Sequence, residues 1–221
     1  MRQKEGSMSV TVKRLVVGPI EENCYIVYEE QDEGKRCFLV DPGAGGTKIV
    51  NALKALDRVP EAILLTHGHF DHIMAVDWVM REFPGMAVYA FEKEEEVLTD
   101  PKKSLLAGMT KDYFLKDVTY LPDGKELEIA GIPLKLIATP GHTAGSACYW
   151  LEAENILFSG DTLFKESAGR TDLPTGNDRM IRESILEKLK PLPENTLVYP
   201  GHGEETDIGH EKKFNFVMLG F

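Results

Sequence analysis

Thr66-His67-Gly68-His69-Phe70-Asp71-His72 puts three of the chain's six histidines and an aspartate into seven residues. In extended backbone, side chains two apart point the same way, so His67 and His69 can close on one ion. Asp71 and His72 come where the chain begins to turn into the next helix and can face a neighbouring ion, and small Gly68 lets the loop pack closely. Upstream, Ala62–Leu65 reads as a short buried strand that runs directly into this cluster. Downstream, Ile73, Val76, Val79, Met80 and Phe83 recur at helical spacing and stop at Pro84-Gly85, which predicts one amphipathic helix.

Working outward, the same arrangement recurs. Pro140-Gly141-His142-Thr143 follows the apolar run Leu134–Thr139, and Pro200-Gly201-His202-Gly203 follows Leu197–Tyr199. Ser159-Gly160-Asp161 ends the run Ile156–Phe158. Alone, a Gly-His-Thr or a Gly-Asp is usually an ordinary loop. Beside the first cluster, each becomes another strand end that delivers a histidine or an acid to a shared place, which is how loops on a rigid scaffold build a site. His210 fits no ligand spacing and reads as a surface or supporting residue. Imidazole and carboxylate without thiolate suit Zn(II), with Fe or Mn as alternatives. Two divalent ions would keep a residual positive charge against Asp71, Asp161 and a hydroxide, and so lower the pKa of bound water to about 7. No side-chain base is then required. A structural zinc site, usually four-coordinate and often rich in cysteine, fits this donor set poorly.

The remaining chain reads as mixed α/β. Val10–Val17 alternates and then meets Gly18-Pro19, and Asn23–Tyr28 and Cys37–Val40 are two further β-like runs separated by an acidic hairpin loop. Ile49, Leu53 and Leu56 mark a helix after Asp41-Pro42-Gly43. Val88–Phe91 predicts a strand, Glu92–Leu98 a polar helix, and Pro101–Tyr120 loop with helical pieces. Strands are expected at Leu127–Ile129 and Ser146–Leu151, a second amphipathic helix through Ile181, Ile185, Leu186 and Leu189, and a C-terminal helix over Lys212–Leu219. Met1–Ser7 is unlike the rest of the chain and is set aside as a tag remnant or disordered N-terminus, leaving 8–221 as one expected domain.

With 221 residues and 43% apolar content the chain can bury a core without disulfide staples. Lysine plus arginine number 25 against 36 acids, a net charge of −11, which repels phosphate backbones and argues against a nucleic-acid partner. Three cysteines, Cys24, Cys37 and Cys148, suit a reducing compartment as buried thiols, although Cys24 and Cys37 lie on runs that could pair. No signal-peptide core or membrane span is visible, so a cytoplasmic enzyme with no membrane partner is expected. The sequence carries no sign of the oligomeric state.

Taken together, His67-Gly-His69-Phe-Asp71-His72, Gly141-His142-Thr143, Gly160-Asp161 and Gly201-His202-Gly203 resemble the metallo-β-lactamase superfamily. The resemblance implies an αββα sandwich, a four-layer α/β fold with metals at one edge of two packed sheets. Asn23-Cys24-Tyr25, Asp41-Pro42-Gly43, Gly160-Asp161-Thr162-Leu163-Phe164 and Gly169-Arg170-Thr171-Asp172 are similar to the glyoxalase II branch, the hydroxyacylglutathione hydrolases, and closest to its short, single-domain members. By that resemblance His67, His69 and His142 hold a first ion, Asp71, His72 and His202 a second, and Asp161 bridges both. Asp71 and Asp161 would then be the catalytic carboxylates and Arg170 a substrate contact. The activity implied is hydrolysis of a small-molecule thioester by a metal-bridging hydroxide. The alternatives are a mononuclear iron persulfide dioxygenase, which carries a comparable Gly-Arg-Thr-Asp segment, and the lactonases and β-lactamases of the same fold.

Overall fold

Val10–Val17 (β1) pairs antiparallel with Glu22–Glu29 (β2), which pairs with Arg36–Val40 (β3) in the computed structural model, which describes residues 9–108, 115 and 117–221. The Met1–Ser7 segment lies outside the described residues, as does part of the 101–120 stretch. Helix α1 (Gly46–Ala55) carries the chain to β4 (Val59–Leu64), parallel to β3. After α2 (Phe70–Ile73) and α3 (Val76–Glu82), β5 (Ala87–Phe91) adds in parallel. A 3-10 turn, α4 (Glu95–Thr99) and the following loop lead to β6 (Val118–Leu121), which closes the six-stranded sheet β1-β2-β3-β4-β5-β6.

The second half builds another six-stranded sheet. It contains β7 (Glu126–Ile129), β8 (Ile132–Ala138), β9 (Ala147–Leu151) and β10 (Ile156–Gly160). A small ribbon of β11 (Leu163–Phe164) and β12 (Ser167–Ala168) precedes α5 (Asp178–Glu183). Then come β13 (Leu197–Pro200), β14 (Thr206–Asp207) and α6 (Ile208–Phe214). The order is β14-β13-β10-β9-β8-β7, with only β10 and β13 parallel.

Three apolar layers hold these elements together. Ile49 and Leu53 of α1 and Val76 and Val79 of α3 cover the outer face of the first sheet. Tyr25, Phe38, Tyr149 and Phe158 meet between the sheets. Ile181, Ile185 and Ile208 cover the second sheet. The result is the expected αββα sandwich. Strand β2 does not alternate because both its faces are buried: Cys24, Ile26 and Tyr28 face the helices, and Tyr25 and Val27 face the other sheet. Each large side chain fully buried here is worth roughly 1.5–3 kcal/mol.

Four expectations need correcting. The helix expected from Ile73 to Phe83 is two helices, because the Ala75 N–H bonds the Pro42 carbonyl and Gly43 sits so close to the Asp71 carbonyl that a side chain there would overlap it. The loop after β3 therefore wedges the helix open beside the metal-ligand candidates. The C-terminal helix begins at Ile208, not Lys212, since Asp207 caps it by accepting the His210 N–H, and Asn215 ends it in extended backbone. The helix through Ile181 and Leu189 widens into a π turn over Ser184–Leu189, which leaves Leu186 exposed while Ile185 and Leu189 stay buried. Finally, Val118–Leu121 is an edge strand where loop is expected, because four residues are too few to show a period. Cys24, Cys37 and Cys148 are free and buried, the simpler of the two expectations for them.

Candidate metal centre

The four expected segments all open from one edge of the sandwich. His67 and His69 follow β4, His142 follows β8, Asp161 follows β10 and His202 follows β13, while Asp71 and His72 lie in α2. The structure brings His67, His69 and His142 into one group and Asp71, His72 and His202 into another, with each group's donor atoms within 4.8 Å of one another. Asp161 stands between them. Its Oδ1 is 3.5 Å from His72 Nε2, and its Oδ2 is 3.5 Å from His142 Nε2 and 3.8 Å from His202 Nε2. Gly201 permits this crowding, since a Cβ there would overlap Asp161 Oδ1 and crowd the His72 ring.

Several donor atoms in this cluster have no protein partner. Among the described residues, His67 Nε2, His69 Nε2, His72 Nε2 and Asp161 Oδ1 are buried and make no hydrogen bond. Leaving a buried polar atom unsatisfied costs about 1–3 kcal/mol, so a cluster of them calls for a ligand. His69 Nδ1 and His142 Nε2 also face each other at 2.9 Å. Nitrogen and carboxylate donors at these positions fit divalent cations of the Zn, Fe or Mn kind.

The supporting contacts explain the orientation of each ring. Asp41 Oδ2 accepts from His72 Nδ1 at 2.9 Å, and Thr66 fixes that carboxylate by donating both its N–H (2.8 Å) and its hydroxyl (2.6 Å). A carboxylate behind a ligating histidine sets its tautomer and raises its basicity. His142 Nδ1 donates to the Arg170 carbonyl at 2.8 Å, which turns Nε2 toward Asp161. Asn23 donates its side-chain amide to the Pro200 and Gly203 carbonyls, both at 3.0 Å, and Tyr25 donates to Pro200 at 2.6 Å. The Asn23-Cys24-Tyr25 motif thus pins the loop that carries His202. Burial, reinforced by the neighbouring histidines, pushes His67 well below the ordinary imidazole range and His69 down to about 3. Burial also opposes charge on His72, yet Asp161, Asp71 and Asp41 around it hold its pKa well above the usual value. For Asp71 burial acts upward, but His72 and His202 keep its carboxyl below the normal range.

A sequence model described as the metallo-beta-lactamase superfamily matches residues 17–202, which include every candidate ligand. The chain belongs to the metallo-beta-lactamase superfamily. Among curated relatives, the probable metallo-hydrolase YqgX of Bacillus subtilis is 40% identical, covering 95% of this chain and 98% of its own length. The hydroxyacylglutathione hydrolase GloC of Haemophilus influenzae is 29% identical over 93% of this chain and 97% of its own. Of solved structures, BLEG-1, a B3 metallo-beta-lactamase, is 38% identical with a TM-score of 0.87, covering 95% of this chain and all of the other. TTHA1623 in a di-iron-bound form is 31% identical with a TM-score of 0.80, covering 93% and 99%. ETHE1 from Myxococcus xanthus is 25% identical with a TM-score of 0.74, covering 95% and 85%.

This superfamily member also uses buried acids that no motif singles out. Glu94 falls within the stretch expected as a polar helix, yet it is fully buried. It accepts the Gly68 N–H at 2.6 Å and the Thr143 hydroxyl at 2.8 Å, tying the loop of His67 and His69 to the loop of His142. Burial pushes its carboxyl up to about 8 against those bonds. Only its spacing at the end of β5 could have singled it out. Replacing Glu94 with alanine strands both donors and should cost about 3 kcal/mol of stability, read as a lowered denaturant midpoint; an unchanged midpoint would show that the loops do not depend on it. Glu22 is equally hidden, 3.9 Å from His72 Nδ1, with both oxygens lacking a hydrogen bond among the described residues.

A cleft of about 480 Å³ opens over the centre and reaches Asp71, His142, Asp161 and His202. Arg170 lines it too, but its guanidinium is held by Asp172 through two bonds of 2.7 Å. His210 stands apart, 2.9 Å from Glu166. Among the described residues no helix is long and apolar enough to cross a membrane.

Proposed function

We propose that this protein is a two-metal hydrolase of the glyoxalase II type that cleaves small-molecule thioesters in the cytoplasm. The observation that carries the reading is the pair of three-residue donor groups with Asp161 within 3.5 Å of a ring from each. His67, His69 and His142 would hold one ion, Asp71, His72 and His202 the other, and Asp161 both. Zinc fits this donor set, and the di-iron form of TTHA1623 keeps iron in view. When bound, such ions supply Lewis acidity and a nucleophilic hydroxide at neutral pH.

The chain's own residues do the rest. Asp41 orients His72, the Arg170 carbonyl orients His142, and the apolar walls formed by Phe70, Leu105 and Phe164 limit water around the reacting carbonyl. In the reaction a carbon–oxygen bond forms, the carbon–sulfur bond breaks and the sulfur leaves as thiolate. With a thiol pKa of about 8.5, it needs no strong acid to depart. That agrees with a cleft whose lining includes no lysine, tyrosine or cysteine among the described residues. The likeness to GloC supports thioesters, while the likeness to BLEG-1 supports β-lactams as the competing substrate class. Three buried free thiols are compatible with a reducing cytoplasm.

A second reading, a mononuclear iron persulfide dioxygenase, draws on the likeness to ETHE1 and on Gly169-Arg170-Thr171-Asp172. One panel separates the two: lactoylglutathione, a lactone, and glutathione persulfide with oxygen uptake. Thiol release from lactoylglutathione without oxygen uptake is expected. Oxygen consumption with persulfide would overturn the hydrolase reading.

Metal loading should also depend on pH in a specific way. His67 and His69 are held neutral, whereas Asp71, Asp161 and Asp41 favour a proton on His72, and Asp71 does so on His202. Their raised values mean that this side keeps its protons until the pH rises, so loading must displace them and weakens as the pH falls. Calorimetry in buffers of different ionisation enthalpy should find proton release mainly with the second equivalent of zinc. Equal release in both steps would contradict this assignment.

A further inference from the structure

Outside the metal-ligand candidates, the cleft wall is mostly apolar: Ile20, Phe70, Leu105, Phe164, Ala168 and Leu173. Among the described residues its polar remainder is Ser167 and Arg170. A second, smaller cavity of about 160 Å³ shares Ile20, Phe70 and Asp71 with the cleft and continues between Val17, Pro19, Ala44 and Met74. At about 30 Å³ per water-sized group, it has room for roughly five heavy atoms. It lies on the Asp71 side of the centre, and apart from Asp71 its lining among the described residues is apolar or glycine.

Charge at the mouth points the same way. Arg170 is the one lysine or arginine among the described lining residues, and Asp172 occupies both the Nε and Nη2 positions that would fork onto a carboxylate. The neighbouring cations are engaged as well. Lys165, next to Phe164, bonds Glu204 at 2.8 Å, and Arg14, bonded to the Gly203 carbonyl beside His202, lies 3.5 Å from Glu205. A thiol such as glutathione, which carries two carboxylates, meets paired cations here in a chain of net charge −11. An uncharged apolar arm meets a surface that gains from being covered, at roughly 25 cal/mol per Å².

We infer that the thiol half of the substrate is a short, uncharged, apolar chain seated on Ile20 and Phe70 with its end in the Val17–Met74 cavity, and that Asp172 is a specificity residue that covers Arg170 against acidic thiols. This inference rests on the thioesterase reading, whose failure would appear differently in the test. Asp172 acts only through Arg170 and so changes preference between substrates. A single acyl group with two leaving thiols isolates that preference from the chemistry of the carbonyl.

The zinc-loaded full-length protein is assayed with the lactoyl thioesters of 1-butanethiol and of glutathione. In parallel, calorimetry measures binding of two unreactive thioethers that share one S-methyl group, butyl methyl sulfide and S-methylglutathione, to the same protein and to its metal-free form. The neutral thioester should have a KM at least about tenfold lower, and the neutral thioether should bind more tightly in both forms. Asp172→Asn should shift the ratio of the two kcat/KM values at least about fivefold toward glutathione. Met74→Asp should raise the KM of the neutral thioester and weaken binding of butyl methyl sulfide. A glutathione ester with the lower KM, together with a ratio that Asp172→Asn does not move, would overturn the inference. If neither thioester is hydrolysed, the thioesterase reading falls, and thioether binding still decides the apolar-arm inference: preference for the glutathione thioether would refute it.

Discussion

Replacing Asp161 with alanine should abolish turnover, by at least about a thousandfold in kcat/KM, because this carboxylate is the group placed to serve both halves of the centre. Its oxygens lie 3.5 Å from the Nε2 atom of one ring in each donor group, whereas Asp41, which also stands near His67 and His72, is engaged by Thr66 and by His72 Nδ1. The same change should leave the fold standing. Asp161 Oδ1 accepts no hydrogen bond, so its loss strands no protein donor, and the metal-free variant should melt within about 4 °C of the parent. Thermal unfolding of both metal-free proteins checks this, and metal counting on the loaded variant should show fewer ions retained. A variant that stays active with a full metal complement would remove Asp161 from the mechanism.

Replacing Asp41 with alanine should weaken metal retention by about 10–100-fold, because Asp41, outside the His67–His69–His142 and Asp71–His72–His202 groups, forms a third close group with one histidine of each, His67 and His72. Asp41 accepts from His72 Nδ1 and is itself fixed by two bonds from Thr66, so its loss frees the His72 ring and strands a buried N–H and hydroxyl. Asp41 also holds a left-handed backbone conformation, with φ of 49°, that a non-glycine residue adopts at a cost. Asp41→Asn keeps the shape but not the charge, and should fall between the parent and the alanine variant. Competition with a chromophoric zinc chelator reads the affinity directly. Parent-like affinity in Asp41→Ala would mean that packing alone orients His72.

The fold is legible in the sequence where burial follows period. β1 alternates in burial over its last four residues, with Leu15 and Val17 buried and Arg14 and Val16 exposed, and the strands leading to His67, His142, Asp161 and His202 stand out as short apolar runs broken by glycine. The features that escape a sequence reading depend on partners distant in the chain. The break between α2 and α3 comes from Pro42 and Gly43, some thirty residues upstream, and no local pattern in Ile73–Phe83 announces it. Glu94 looks like a solvated helix residue until Gly68 and Thr143 are folded onto it. The positions of the candidate ligands are readable because four strand ends repeat the same glycine-flanked chemistry. Asp41 is marked by the Asp41-Pro42-Gly43 motif but not as a partner of His72, and the buried Glu22 and Glu94 are not marked at all, because a carboxylate gives no sign in sequence of whether it meets water or a histidine.

The most direct test is a count of metal ions per chain after zinc loading and removal of free metal, made on the parent and on a His72→Ala, His202→Ala double variant. Two ions in the parent and one in the variant are predicted. One ion in the parent, with the double variant unchanged, would contradict the two-metal account.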